Sequence, residues 1–199
     1  MAENFLRTAF TPSVLDAQRK SYGRAQGPFP EGAVDAIGPD ERAFLEARDS
    51  FYMATVSETG WPYVQHRGGP AGFLRVVDAH TLAFADVRGN RQLVSAGNLA
   101  HDARVALILV DYPRRARLKV LGRARVLDPK EHGELAARLL PAGRVERLVR
   151  IDVVGLDWNC PQNITPRYTE AEVEEYTSAL RARIAELEGR LAARADGRA

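Results

Sequence analysis

The chain has 199 residues, 45% of them hydrophobic, which is enough to bury a sizeable core and excludes wholesale disorder. Its 28 basic and 26 acidic residues leave a net charge of +2, too weak a field to make nucleic acid or a membrane the main partner. Cys160 is the single cysteine, so an intrachain disulfide is excluded and a reducing, cytoplasmic compartment is expected.

The N-terminus, Met1 to Phe10, is mixed and polar, without a basic start followed by an apolar run. No stretch approaches the roughly 20 apolar residues of a membrane span. Ser13 to Tyr22 reads as a short helix capped by Thr11 or Ser13, with Pro12 near its first turn. Gly23 to Gly38, rich in Gly and Pro, reads as a surface arm. Asp40 to Arg48 is expected to form a second helix, with Ala43, Phe44 and Ala47 on one stripe.

Strand signals follow. Phe51 to Val56 and Pro62 to Arg67 flank the turn Glu58-Thr59-Gly60 and read as a hairpin. Gly72 to Val77 and Thr81 to Ala85 form a second pair. Arg88 to Asn98 reads as a helix, Arg104 to Val110 and Arg117 to Leu127 as long strands, Pro129 to Leu140 as a helix, and Val145 to Leu156 as a strand. Many antiparallel strands with few inserted helices point to a mainly β protein, a closed or split barrel with α-helices. No strand leads into G-x-G-x-x-G, so a Rossmann site is not supported.

The tail differs in kind. Leu180, Ile184, Leu187 and Leu191 are spaced four, three and four apart, and Val173 and Thr177 extend the stripe backwards. This predicts a long amphipathic helix opening after Thr169, with Glu172 placed for a capping box. Its apolar face is expected to pack on its own barrel, with contact to a partner subunit the next alternative. Ala192 to Ala199 is expected to fray. The organisation expected is thus an N-terminal helix and arm (1–38), a barrel domain (39–168) and a C-terminal helix (169–199).

Three segments carry candidate chemistry. In Asp86-Val87-Arg88-Gly89-Asn90-Arg91-Gln92 a strand ends and a helix begins, aiming free N–H groups and a positive dipole end outward. Arg88 and Arg91 are placed in the first helical turn, where cations are unfavourable unless an anion such as phosphate sits between them. The alternative is two solvated arginines on a surface turn. In the second segment, Gln65 and Arg67 fall on one strand face and His66 on the other, before a run of glycines. An edge strand fading into a loop is the alternative there. The third, Asp157 to Tyr168, is dense in amides, and Trp158 offers a stacking surface; a structural loop is its alternative. No G-x-S-x-G elbow occurs, and the four histidines are too dispersed for a metal cage, so neither acyl transfer nor a metal site is expected.

Taken in order, these segments resemble the pyridoxamine 5′-phosphate oxidase-like FMN-binding split-barrel family, from about Phe44 to Tyr168. The resemblance lies in the hairpin Phe51-Tyr52-Met53-Ala54-Thr55-Val56-Ser57 … Gly60-Trp61-Pro62-Tyr63-Val64-Gln65, in Leu82 to Gln92, and in Asn98 to Leu107. It implies a Greek-key split barrel of the six-stranded type, paired as a homodimer with FMN at the subunit interface. It further implies that Asp86, Arg88, Asn90, Arg91 and Gln92 surround the phosphate. Gln65, His66 and Arg67 would run beside the ribityl chain and ring, with Trp158, Gln162 and Arg167 approaching from the C-terminal segment. The family's Arg-x-His-x-Arg-like substrate motif is replaced here by Trp158 to Tyr168 and a charged helix, so vitamin B6 chemistry is not expected. An FMN-dependent oxidoreductase acting on a small molecule is the expectation. The alternatives are a flavin or haem binding module without turnover, and a reductase using deazaflavin F420.

Overall fold

A computed structural model describes residues 3–29, 31–139, 143–159 and 161–196; Cys160 and the last three residues, 197–199, lie outside the described residues. Among these residues, seven antiparallel strands form one sheet: β1 (Ser50–Val56), β2 (Pro62–Gly68), β3 (Arg75–Asp78), β4 (Thr81–Val87), β5 (Arg104–Asp111), β6 (Ala116–Leu127) and β7 (Val145–Asn159). Their order is β2-β1-β5-β6-β7-β4-β3. β1–β2, β3–β4 and β5–β6 are local hairpins, whereas β1 also pairs with β5 and β4 with β7, giving Greek-key connections.

The alternation of apolar residues aims one face of each strand inward: Phe51, Met53 and Thr55 on β1, Val105, Leu107 and Leu109 on β5, all buried. The sheet must curl for these faces to share a core. Three strands separate β1 from β4 in sheet order, a span of about 19 Å if the sheet were flat. Yet the Phe51 and Phe84 rings lie 5.4 Å apart, edge to face, and Phe73 stacks on Phe51 at 5.5 Å. The expected mainly β split barrel is what forms, with seven strands in place of six.

Among the described residues, six helices decorate it: α1 (Glu3–Ala9), α2 (Pro12–Tyr22), α3 (Pro39–Glu46), α4 (Val94–His101), α5 (Gly133–Ala137) and α6 (Glu170–Asp196). α1 is not visible in the sequence pattern, because its stability is tertiary. Phe5 is buried against β7, where Gly155 leaves room for the helix backbone itself. The Asp35 carboxylate accepts hydrogen bonds from the backbone N–H groups of Asn4, Phe5 and Leu156 at 3.0–3.1 Å, joining arm, helix and strand. α5 is shorter than the predicted Pro129 to Leu140, since Asp128 ties Lys130 and Glu131 into a turn before it; Leu140 lies outside the described residues. β3 likewise starts only at Arg75, after a turn in which the Phe73 N–H donates to Pro70 O.

α6 opens as predicted: Thr169 Oγ1 accepts from the Glu172 N–H at 3.2 Å while the Glu172 carboxylate accepts from the Thr169 N–H at 2.8 Å. It is helical through Asp196, so Ala192 to Asp196 does not fray. Its expected packing on its own barrel does not occur. Val173, Leu180, Ile184, Leu187 and Leu191 are all exposed, Leu180 by 65%. No helix among the described residues is long and apolar enough to cross a membrane.

Candidate functional site

The cavity that gathers the first two candidate segments lies where β2, the end of β4, the start of β7 and the start of α4 converge. Barrel closure brings β2 against β4: Arg67 Nη1 donates to Asp86 Oδ1 at 2.8 Å, although the two strands are far apart in sheet order. Arg147 stands opposite Asp86 in the β4–β7 register, and its Nε donates to Asp86 Oδ2 at 2.9 Å. One carboxylate thus holds two guanidinium groups. All three are largely buried, with side-chain exposures of 17% for Arg67, 14% for Asp86 and 24% for Arg147. Arg147 Nη2 also reaches Glu146 at 3.2 Å.

Arg67 Nε is buried and has no hydrogen-bond partner among the described residues. A buried donor left unpaired costs about 1–3 kcal/mol, so it asks for an acceptor. The Arg67 side chain borders a space of about 170 Å³ that is also lined by Gln65, Asn90, Arg91 and Ser95. Ser95 Oγ donates to Gln65 Oε1 at 3.0 Å, fixing the amide against the helix start.

The loop before α4 differs from the expectation. Arg88 to Gln92 precedes the helix instead of forming its first turn, because the helix begins only at Val94. Arg91 (φ 61°) and Leu93 (φ 55°) both adopt left-handed backbone, and the Asn90 carboxamide accepts the Gln92 N–H at 3.1 Å. For a bulky residue such as Leu93 this conformation costs on the order of 1–3 kcal/mol. Such strain gathers at binding sites, where the surrounding contacts enforce it. The N-terminus of α4 has no side-chain cap, so its first N–H groups stay available where Ser95 and Ala96 face the cavity.

α4 is itself anchored from below. Buried Asn98 donates through Nδ2 to buried Thr55 Oγ1 on β1 at 2.9 Å. Asn98→Ala should cost about 1–3 kcal/mol by leaving Thr55 without that partner, a loss read from the midpoint of urea unfolding. Beyond the last turn, side-chain and backbone hydrogen bonds from Arg104 hold the Asp102 carboxyl down to about 2.

Gln65, Arg67, Asp86, Asn90 and Arg91 therefore meet around one space, while the other expected residues do not. Arg88 and Gln92 are exposed and do not line it, because the loop turns them outward. His66 falls on the outer face of β2, its ring 5.4 Å from that of Tyr52, as strand alternation requires. Trp158 lies toward the far end of β7 from Arg147; its Nε1 donates to Glu41 at 2.7 Å and its ring meets Phe44 edge-on. Gln162 is exposed, and Arg167 lies over the Tyr112 ring at 4.9 Å. Within one chain, none of these last three reaches the cavity. Conversely, Arg147, Glu146 and Ser95 line the site without having been singled out. Adjacent charges in the apolar β7 pattern were the available signal for the first two.

The sequence pattern of the family described as pyridoxamine 5′-phosphate oxidase matches residues 37–149. Among solved structures, the chain is similar to HupZ from Group A Streptococcus (14% identity, TM-score 0.48, covering 66% of this chain and 99% of that one). It is also similar to an FMN-binding protein from Syntrophomonas wolfei (11%, 0.47, 60% and 83%) and to an F420 reductase (20%, 0.42, 64% and 98%). No curated protein sequence matches the chain. The matched segment runs through the barrel and includes every cavity-lining residue, and the chain belongs to the pyridoxamine 5′-phosphate oxidase family.

Proposed function

We propose that this protein binds FMN as a homodimer and acts as a flavin-dependent oxidoreductase on a small molecule. The observation that carries the reading is one cavity that gathers Arg67, whose Nε has no hydrogen-bond partner among the described residues, with Arg91, Arg147 and the uncapped start of α4. Guanidinium and backbone N–H donors converging on one small space suit a phosphate dianion. Arg67, Arg91, Asn90 and Ser95 would hold that phosphate. Asp86 has the opposite charge and is a positioning residue, aiming two guanidinium groups rather than meeting the anion itself.

A space of about 170 Å³ is smaller than the ~300–1,000 Å³ of ordinary ligand sites, so one chain offers room for part of the cofactor. The second chain would complete it. A face for that chain exists on the outside of β1, β2, β5 and β6, where Tyr52, Ala54, Val64, Ala106 and Ile108 frame an apolar groove of about 200 Å³. Tyr52 and Val64 are 43% and 61% exposed there. Trp158, Gln162 and Arg167 would then reach the ring from the other subunit. When bound, flavin supplies the hydride or electron transfer, while the chain's residues bind and orient it.

The experiment is a titration of ligand-stripped protein with FMN, followed by quenching of flavin fluorescence. Arg67→Ala and Arg91→Ala should each weaken binding by about 1.5–3 kcal/mol, roughly 10- to 150-fold, and exposed Arg88→Ala by less. A protein that purifies colourless and takes up no FMN, or two arginine variants of unchanged affinity, would count against the proposal.

A further inference from the structure

The exposed stripe of α6 has an internal logic that identifies its occupant. Val173, Leu180 and Leu187 repeat every seven residues, and so do Thr177, Ile184 and Leu191, the second set lying three residues before the next member of the first. With the first set at d and the second at a, the seam has Ile184 and Leu191 at a and Leu180 and Leu187 at d. β-Branched residues at a with leucine at d favour two parallel strands; Thr177, the remaining a residue, turns its hydroxyl back to Val173 O of its own helix at 2.8 Å. The helix is 27 residues long, about 40 Å, and projects this stripe into solvent.

The flanking charges choose the orientation. In a parallel, in-register pair, Arg183 at g faces Glu188 at e in the next heptad of the second copy, and symmetry makes this contact twice. Tyr176 likewise faces Arg181. In the antiparallel alignment that matches all six seam positions, Leu180 lies against Ile184. That alignment opposes Glu174 to Glu188, Arg181 to Arg181 and Arg183 to Arg183, all like charges. Arg183 now bonds Glu186 of its own helix at 2.5 Å, with both side chains more than half exposed, so this weak surface pair can exchange for the intermolecular one.

We infer that α6 pairs in parallel and in register with α6 of a second copy of this chain. Fewer than three full heptads make a marginal coiled coil in isolation. A barrel–barrel contact would raise the effective concentration of one helix for the other and make the pairing intramolecular. The pairing stands whether or not the barrel holds a flavin.

The test uses the full chain with Cys160→Ser, carrying one new cysteine at a time and oxidised in air with a copper catalyst. Leu187→Cys and the nearly isosteric Thr177→Cys should each give a covalent dimer on a non-reducing gel. Ala182→Cys, on the outer f face, should give several-fold less. In the Thr177→Cys chain, adding Arg183→Glu should lower the yield and adding Glu188→Arg as well should restore it. The antiparallel alignment places Thr177 opposite Leu187, so neither seam cysteine would then pair with itself. Equal yields at seam and outer positions, no dimer at either seam cysteine, or indifference to the charge reversal would overturn the inference.

Discussion

Replacing Asp86 by alanine is expected to lower the stability of the fold by about 3 kcal/mol, the lower part of the range for breaking a buried ion pair. Arg67 and Arg147 would lose their shared acceptor, leaving two largely desolvated guanidinium groups side by side with only Glu146, beside Arg147, to offset their charge. Their partial exposure tempers the loss, because water can enter and screen them. The same change strips a negative charge from the cavity. Inorganic phosphate should therefore stabilise Asp86→Ala more than it stabilises the unaltered protein. Urea unfolding with and without phosphate measures both effects. A loss under 1 kcal/mol would mean that the Arg67–Asp86–Arg147 bridge contributes little to closing the barrel. An equal response to phosphate would mean that the cavity is not an anion site.

Gly155→Val is expected to be nearly as severe, about 2–4 kcal/mol, through the docking of α1 and not through the sheet. A Cβ at position 155 would lie 2.6 Å from Phe5 Cα and 2.7 Å from Phe5 N. These are backbone atoms, which cannot rotate away as a side-chain tip could. The helix must lift, exposing Phe5, whose burial is worth about 1.5–3 kcal/mol, and breaking the hydrogen bonds that Asn4 and Asp35 make across the contact. Amide hydrogen exchange should show residues 5–10 losing protection while the β5–β6 hairpin keeps its own. Unchanged exchange in α1 would show that the helix is held by something other than this close approach.

The barrel was legible because its signal is local. Alternation in Phe51 to Val56 and the Gly60 turn specify a hairpin wherever the segment is placed, and the pattern of residues 37–149 carried the family. The site was only half legible. Gln65, Arg67 and Arg91 were found because arginines and amides interrupt apolar strand and turn patterns. Arg88 was misplaced because propensity allowed a helix from that point, whereas the left-handed backbone of Arg91 and Leu93 postpones it to Val94. Arg147 was missed because its value lies in the β4–β7 register, which sets it opposite Asp86 across 61 positions of sequence.

The sequence alone thus determined the strands, the capped C-terminal helix and its apolar stripe, since each is written in neighbouring residues. The tertiary structure decided what long-range closure decides. It brought β2 against β4, left Arg67 Nε buried without a partner among the described residues, held α1 on Gly155 and kept Trp158 away from the cavity of its own chain. It also left the apolar stripe of α6 exposed, uncovered by any of the described residues. Apolar periodicity states that a face must be covered, but only the path of the whole backbone decides whether the chain can cover it itself.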